Sequence, residues 1–319
     1  MKIVVTGANG QLGRSIRRLS VEHRELDFVF TDIDSLDIGN RDAVLAFAET
    51  HPVDFIVNCA AYTAVDKAEE EEEQCRRINT DAVAYLGEAA QHIGARILHV
   101  STDYVFGGDS YMPYQENDPV SPTSVYGRTK LAGEKALSAV CPDAIIVRTA
   151  WLYSEYGHNF MKTMLRLGAE RPEIRVVNDQ IGSPTYAGDL AEAILSLLEK
   201  ERQGEQNSGI YHYTNEGVCS WYDFAHSIIR IAGLPAKVIP IPTREYPTAA
   251  KRPAYSVLSK EKIKREYHWV IPHWEDSLWK CLANMNVVKE KEQKENNGSI
   301  FSRNQEKKNI CDYQSPGCG

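Results

Sequence analysis

Short apolar runs alternate with longer stretches of helical periodicity through the first half of the chain, and the β-branched content of the runs marks them as strands covered on both faces. The pattern predicts strands from Lys2 to Thr6, Asp27 to Thr31, Phe55 to Cys59, Arg96 to Ser101 and Ala144 to Thr149. Between them it predicts helices from Leu12 to Glu22, Arg41 to Thr50, Cys75 to Ile93 and Ser124 to Val140. Strand and helix in strict alternation imply an α/β fold, a doubly wound parallel sheet of Rossmann type.

The second half is less regular. A helix is expected from Asn159 to Glu170, a short strand from Ile174 to Val177, and a helix from Ala187 to Lys200 with Leu190, Ile194 and Leu197 or Leu198 on one stripe. A strand from Gly209 to Thr214, a helix from Ser220 to Ala232 and an extended Pro-rich stretch from Ile239 to Pro253 follow. The expected division is a dinucleotide-binding domain at 1–150 with returning segments near 187–215, and a smaller α/β substrate domain from 151–186 and 216–286. Residues 287–319 mix Lys, Glu, Asn, Gln, Ser and Gly without an apolar face and read as a disordered tail.

Composition narrows the function. Lys+Arg 36 against Asp+Glu 44 gives a net charge of −8, which excludes a broad footprint for nucleic acid. Apolar runs are far shorter than the ~20 residues of a membrane span. Met1-Lys2 leads directly into a strand-like run, so the cytoplasm is the expected compartment. Seven cysteines without a CxxC pair fit free thiols, and the acidic run Glu69 to Glu73 reads as a solvated face.

Five clusters carry chemistry. Gly7-Ala8-Asn9-Gly10-Gln11-Leu12-Gly13 joins the first strand to the first helix, where free backbone N–H groups can receive a pyrophosphate. Asp32 closes the second strand, about 20 positions further on, where a carboxylate can bind adenosine ribose hydroxyls and disfavour a 2′-phosphate; Arg14 and Arg17 could offset that. Asp37 and Ile38 are candidates for the adenine pocket, and small residues at Asn58-Cys59-Ala60-Ala61-Tyr62-Thr63 leave room for a flat cofactor. Tyr126 and Lys130 share a helical face at i, i+4, so the ammonium is expected to favour the ionised phenol and make Tyr126 a general acid. Thr102, in Ser101-Thr102-Asp103, can donate to a carbonyl oxygen that gains charge.

Together these motifs, with Tyr104-Val105-Phe106, Arg148-Thr149-x-Trp151, Asn159-Phe160-x-Lys162-Thr163-Met164, Asp179-Gln180-x-Gly182-x-Pro184-Thr185 and Arg252-Pro253, resemble the extended short-chain dehydrogenase/reductases, and within them the dTDP-4-dehydrorhamnose reductase family, over residues 1 to about 285. The resemblance implies an NADPH- or NADH-dependent reduction of a 4-keto nucleotide sugar, by a monomer or homodimer. It implies that Gly10, Gln11 and Leu12 cover the pyrophosphate, Asp32, Asp37 and Ile38 the adenosine, and Ala60, Ala61, Tyr62 and Thr63 the middle of the cofactor. Tyr126 would protonate the sugar O4, Lys130 would hold the nicotinamide ribose, and Thr102 would orient the carbonyl. Asp103, Tyr104, Trp151, Asn159 and Arg252 would contact the substrate; Lys162 and Arg166 are further local cations suited to a diphosphate. The resemblance also brings in Mg2+, which some members bind through glutamates at positions where this chain has Ser15 and Gly188; the matching ligands are absent, no residue is named as a metal ligand, and whether the chain binds Mg2+ stays open. Two alternatives share the frame. A nucleotide-sugar epimerase or dehydratase is one, although Tyr104 stands where a dehydratase would use a second acid; a noncatalytic NAD(P)-binding regulatory subunit is the other.

Overall fold

The apolar runs become strands β1 (Lys2–Thr6), β2 (Asp27–Phe30), β3 (Phe55–Asn58), β4 (Arg96–Thr102) and β5 (Ile145–Thr149) in a computed structural model that describes residues 1–288. With Gly209–His212 they form one six-stranded sheet in the order β2-β1-β3-β4-β5-(Gly209–His212), every pair parallel. The expected tail at 287–319 lies outside the described residues apart from Val287 and Val288, and Val288 packs on the apolar cluster beside the sheet.

Alternation along each strand divides the core between two faces. Ile3 and Val5, Phe55 and Val57, Leu98, Ile145 and Val147 face the helices Gln11–Leu19 and Ala187–Arg202. Val4, Ile56, Ile97 and Ile146 face Arg41–Thr50, Ala82–Ile93 and Val125–Val140. Strand order reverses between β1 and β3, and a cleft opens at the carboxyl ends of the strands beside such a reversal.

A third apolar cluster, built on Tyr153, Met161, Ile174, Phe224, Ile228 and Leu278, sits beside that edge. Its helices start where side chains can cap them: Asn159 accepts from the Lys162 N–H, and Ser220 with Asp223 forms a capping box. The stretch expected to be extended from Ile239 to Pro253 is narrower in the structure. Lys237–Ile241 pairs in parallel with Glu173–Val177, and the chain then turns through Thr243–Glu245. Helices Glu261–Tyr267 and Trp274–Asn284 were not legible as periodic runs, being short and mixed in polarity.

The helix expected from Cys75 to Ile93 is interrupted. A π turn at Arg77–Asp81 separates Glu72–Arg76 from Ala82–Ile93 and directs the Asn79 side chain inward, where it accepts from the Tyr62 N–H at 2.9 Å and donates to the Tyr62 carbonyl at 3.1 Å. The Asn79 carbonyl packs directly on Gly133 of the helix Val125–Val140, only 2.0 Å from where a Cβ would stand. Gly133→Ala must therefore push that helix off the π turn, with an expected loss of about 1–3 kcal/mol in urea unfolding.

Candidate active site

A cleft of about 880 Å³ runs along the carboxyl edge of the sheet. Gly7, Gly10, Gln11 and Leu12 line one end with Asp32, Asp37 and Ile38; Ala60, Ala61, Tyr62 and Thr63 line the middle; Thr102, Asp103, Tyr104, Tyr126, Lys130, Trp151 and Asn159 line the other end. Gly13 and Arg252 do not line it, nor do the cations Lys162 and Arg166. Gly13 packs beneath it on the Gly7–Ala8 backbone, and Arg252 is held elsewhere.

The glycine loop is shaped for close approach. Gly7 has φ +65°, and a Cβ there would lie 2.6 Å from the Ala60 nitrogen. Helix Gln11–Leu19 starts at Gly10 without a side-chain cap, so its first N–H groups are left for an anion. This open cradle fits the diphosphate of a dinucleotide. Asp32 is fixed by N–H donors from Asn9 at 2.8 Å and Ile33 at 2.9 Å, and Asp37 accepts from Arg77 at 2.7 Å. Arg14 and Arg17 lie over the rings of Tyr156 and Phe30, and neither lines the cleft.

At the other end, Thr102 ends β4 and caps the turn Asp103–Val105, while Ser124 caps the helix carrying Tyr126 and Lys130. Tyr126 differs from expectation: burial pushes its phenol up from the ordinary value, and only a hydrogen bond with Thr102 pulls the other way. The Lys130 amine makes its hydrogen bonds to the Val100 carbonyl at 2.7 Å and His99 Nε2 at 3.1 Å, and burial brings it down to about 8. The phenol's environment is thus set by burial more than by the neighbouring amine. Asp103, 2% exposed, is pushed up to about 6 by burial, with hydrogen bonds from Ser256 and Thr102 opposing. Tyr104 meets Tyr126 edge-on with ring centroids 5.4 Å apart.

The far wall is aromatic. Trp151 adopts a left-handed backbone (φ +49°) and stacks on Trp221 at 3.5 Å, beside Phe160. A non-glycine residue in that region is strained, a condition found at ligand sites. Asn159 lines the cleft while its amide nitrogen donates to Gln11 Oε1 at 2.9 Å and the Ser154 carbonyl at 2.7 Å. Arg252 forms a two-armed ion pair with Asp66, at 2.6 and 3.1 Å. Lys162 donates to the Glu155 carbonyl and Arg166 pairs with Glu170. The Ser15 hydroxyl bonds the Gln11 carbonyl, and among the described residues there is no group of three or more His, Cys, Asp or Glu placed to hold a metal ion.

Sequence reasoning passed over several contributors. Within the acidic run, Glu69 accepts from the Val125 N–H at 2.9 Å and Glu71 from the Tyr62 hydroxyl at 2.5 Å, so that face is partly structural. Trp221 and Phe160 line the cleft, and Asp66 holds Arg252. Glu134 and Arg148 form a buried pair that also receives the Ser101 hydroxyl. A signal existed in two cases: Glu134 lies one turn beyond Lys130, and His99 is a polar residue inside an apolar strand.

Because the Asp103 carboxyl is raised in the folded state, its contribution to stability is fully present below about pH 4 and is lost as pH rises through about 6. The stability of the wild type relative to Asp103→Asn should therefore fall between those values, by up to about 3 kcal/mol in urea unfolding.

Comparison with known proteins follows the same outline. The family profile described as RmlD substrate binding domain matches residues 1–287. A dTDP-4-dehydrorhamnose reductase of Aggregatibacter actinomycetemcomitans is 43% identical over 284 residues, 87% of this chain and 97% of that protein. The crystal structure of a dTDP-4-dehydrorhamnose reductase of Clostridium acetobutylicum superposes with a TM-score of 0.86 at 43% identity, covering 90% of this chain and all of that one. That of a Bacillus anthracis dTDP-4-dehydrorhamnose reductase in complex with NADP gives 0.85 at 39% identity, covering 89% of this chain and 99% of that one. With the fold, the glycine cradle and these relatives in agreement over nearly all of the described residues, the chain belongs to the RmlD family of dTDP-4-dehydrorhamnose reductases.

Proposed function

We propose that this chain reduces the 4-keto group of dTDP-4-dehydro-β-L-rhamnose to dTDP-β-L-rhamnose with NADPH or NADH, the last step of dTDP-L-rhamnose biosynthesis. The observation that carries this reading is the meeting of Tyr126 and Thr102 beside Lys130, on the wall of a cleft whose other end is a diphosphate cradle. Residues 1–150 with 187–215 hold the dinucleotide, and 151–186 with 216–286 hold the sugar nucleotide.

The nicotinamide supplies the hydride to sugar C4. Tyr126 gives its proton to the sugar O4, and its raised phenol keeps that proton at neutral pH until the oxygen becomes basic. Thr102 holds the carbonyl oxygen in line, and Lys130 binds the nicotinamide ribose. Trp151 offers its ring to the deoxysugar, while Asp103, Tyr104 and Asn159 border it. Arg252, now paired with Asp66, reaches the substrate phosphates by exchanging one anion for another. Asp32 favours NADH, and the relative seen with NADP keeps NADPH in place as a coenzyme. The protein works in the cytoplasm as a monomer or homodimer; among the described residues no helix is long and apolar enough to cross a membrane.

A spectrophotometric assay of NADH and NADPH oxidation against dTDP-4-dehydrorhamnose tests the reading. Stoichiometric coenzyme consumption is expected, whereas an epimerase or dehydratase would recycle its coenzyme and a regulatory subunit would bind without turnover. Tyr126→Phe should lose about 10²–10⁴-fold in kcat while still binding coenzyme; near wild-type turnover would remove Tyr126 from the mechanism.

A further inference from the structure

Beneath the catalytic helix, a row of polar side chains crosses three neighbouring strands in register. Thr6 pairs with Asn58 between β1 and β3, and Asn58 with His99 between β3 and β4. All three are buried, at 0–1% exposure, and the row ends on Lys130. Its hydrogen bonds can be assigned a direction. The Ala60 backbone N–H, which can only donate, points at Asn58 Oδ1 at 3.1 Å, and the Thr6 hydroxyl donates to the same oxygen at 2.7 Å. That fixes the amide, so Asn58 Nδ2 donates to His99 Nδ1 at 3.0 Å. Nδ1 must then carry the lone pair and Nε2 the hydrogen, and Nε2 faces the Lys130 amine.

We propose that Asn58 and His99 are positioning residues for Lys130: they present an N–H to its amine, where a lone pair would be expected, and so set when that amine carries a proton. A neutral amine accepts from His99, donates to the Val100 carbonyl and keeps one N–H for the cleft; an ammonium would have to turn an N–H against the imidazole N–H. The other titratable groups acting on Lys130 are Glu134 on its own helix, Cys59 after β3 and Cys75 on the neighbouring helix, while Tyr126, one turn earlier, lines the same cleft. Burial opposes the ammonium most, while Glu134, Cys75 and Cys59 favour it, and Glu134 is shared with Arg148 and Ser101. Burial and Lys130 also hold the His99 imidazole neutral, well below its ordinary value. The row ends on the buried Thr6 and so provides no conduit to solvent; it acts as a fixed donor. The consequence for turnover rests on the catalytic reading of Lys130, whereas the hydrogen-bond pattern does not.

The test is ¹⁵N-histidine NMR on the coenzyme-free full chain, with the His99 signal assigned through His99→Gln. A neutral Nε2–H tautomer is expected throughout about pH 6–9; an Nδ1–H tautomer or an imidazolium in that range overturns the proposal. Asn58→Asp, whose carboxylate can only accept, should flip His99 to Nδ1–H and move the Lys130-dependent limb of the kcat/KM profile upward, with about tenfold tighter proton binding. A flipped tautomer with an unmoved limb overturns control of Lys130 by His99. Should Asn58→Asp fail to fold, His99→Gln, which can offer the amine an amide oxygen, should move the limb the same way, and an unmoved limb there has the same overturning force. If the wild type shows the expected tautomer but no reductase activity, the hydrogen-bond pattern stands and the proposed function falls.

Discussion

A lysine at 1% exposure, Lys130, is the constraint to which the site around it answers. Taking an ammonium out of water costs several kcal/mol unless partners replace its hydration, so every element around Lys130 must supply a group or stay away. β4 supplies the Val100 carbonyl, which accepts from the amine, and sets the His99 ring against it, a neighbour that suits the neutral amine only; the helix itself supplies Glu134, which Arg148 of β5 holds by two bonds. The helix can come this close because it meets its neighbours backbone to backbone. Gly127 lies against the Tyr104 carbonyl and Gly133 against that of Asn79, each where a Cβ would collide.

The same closeness explains the interruption at Arg77–Asp81. The π turn sets the Asn79 carbonyl on Gly133 and lets the Asn79 amide reach back to both polar groups of the Tyr62 backbone. Tyr62 is thereby held at the middle of the cleft, and its hydroxyl is tied to Glu71. A few residues on, Asp66 ties this segment to the loop at 250–252 through Arg252 and the Ala250 N–H. One local irregularity thus orients much of the wall between the dinucleotide cradle and the aromatic end.

Those two ends rest on different cores. The cradle belongs to the sheet and the helix Gln11–Leu19, while Trp151 and Trp221 belong to the apolar cluster of Phe160 and Phe224. Hydrogen bonds from Ser154 and Asn159 to the Gln11 amide join them, so the glycine loop and the aromatic wall are positioned against each other directly. The two ends of the cleft are therefore tied to each other directly.

The strands of the central sheet, the glycine loop and the spacing of Tyr126 and Lys130 were legible in the sequence because each depends on short-range regularities: β-branched runs, glycine at a turn, helical spacing. Asn79, Asp66 and Trp221 were not, because their roles depend on groups far away in the chain. Arg252 shows the difference plainly: its charge could be read, but its pairing with Asp66, 186 residues away, could not. The sequence by itself determined which chemical groups stand at the carboxyl edge of a parallel sheet. Only the tertiary structure decided how they are protonated, because that depends on burial and on strand register, which brings Thr6, Asn58 and His99 into one row beneath Lys130.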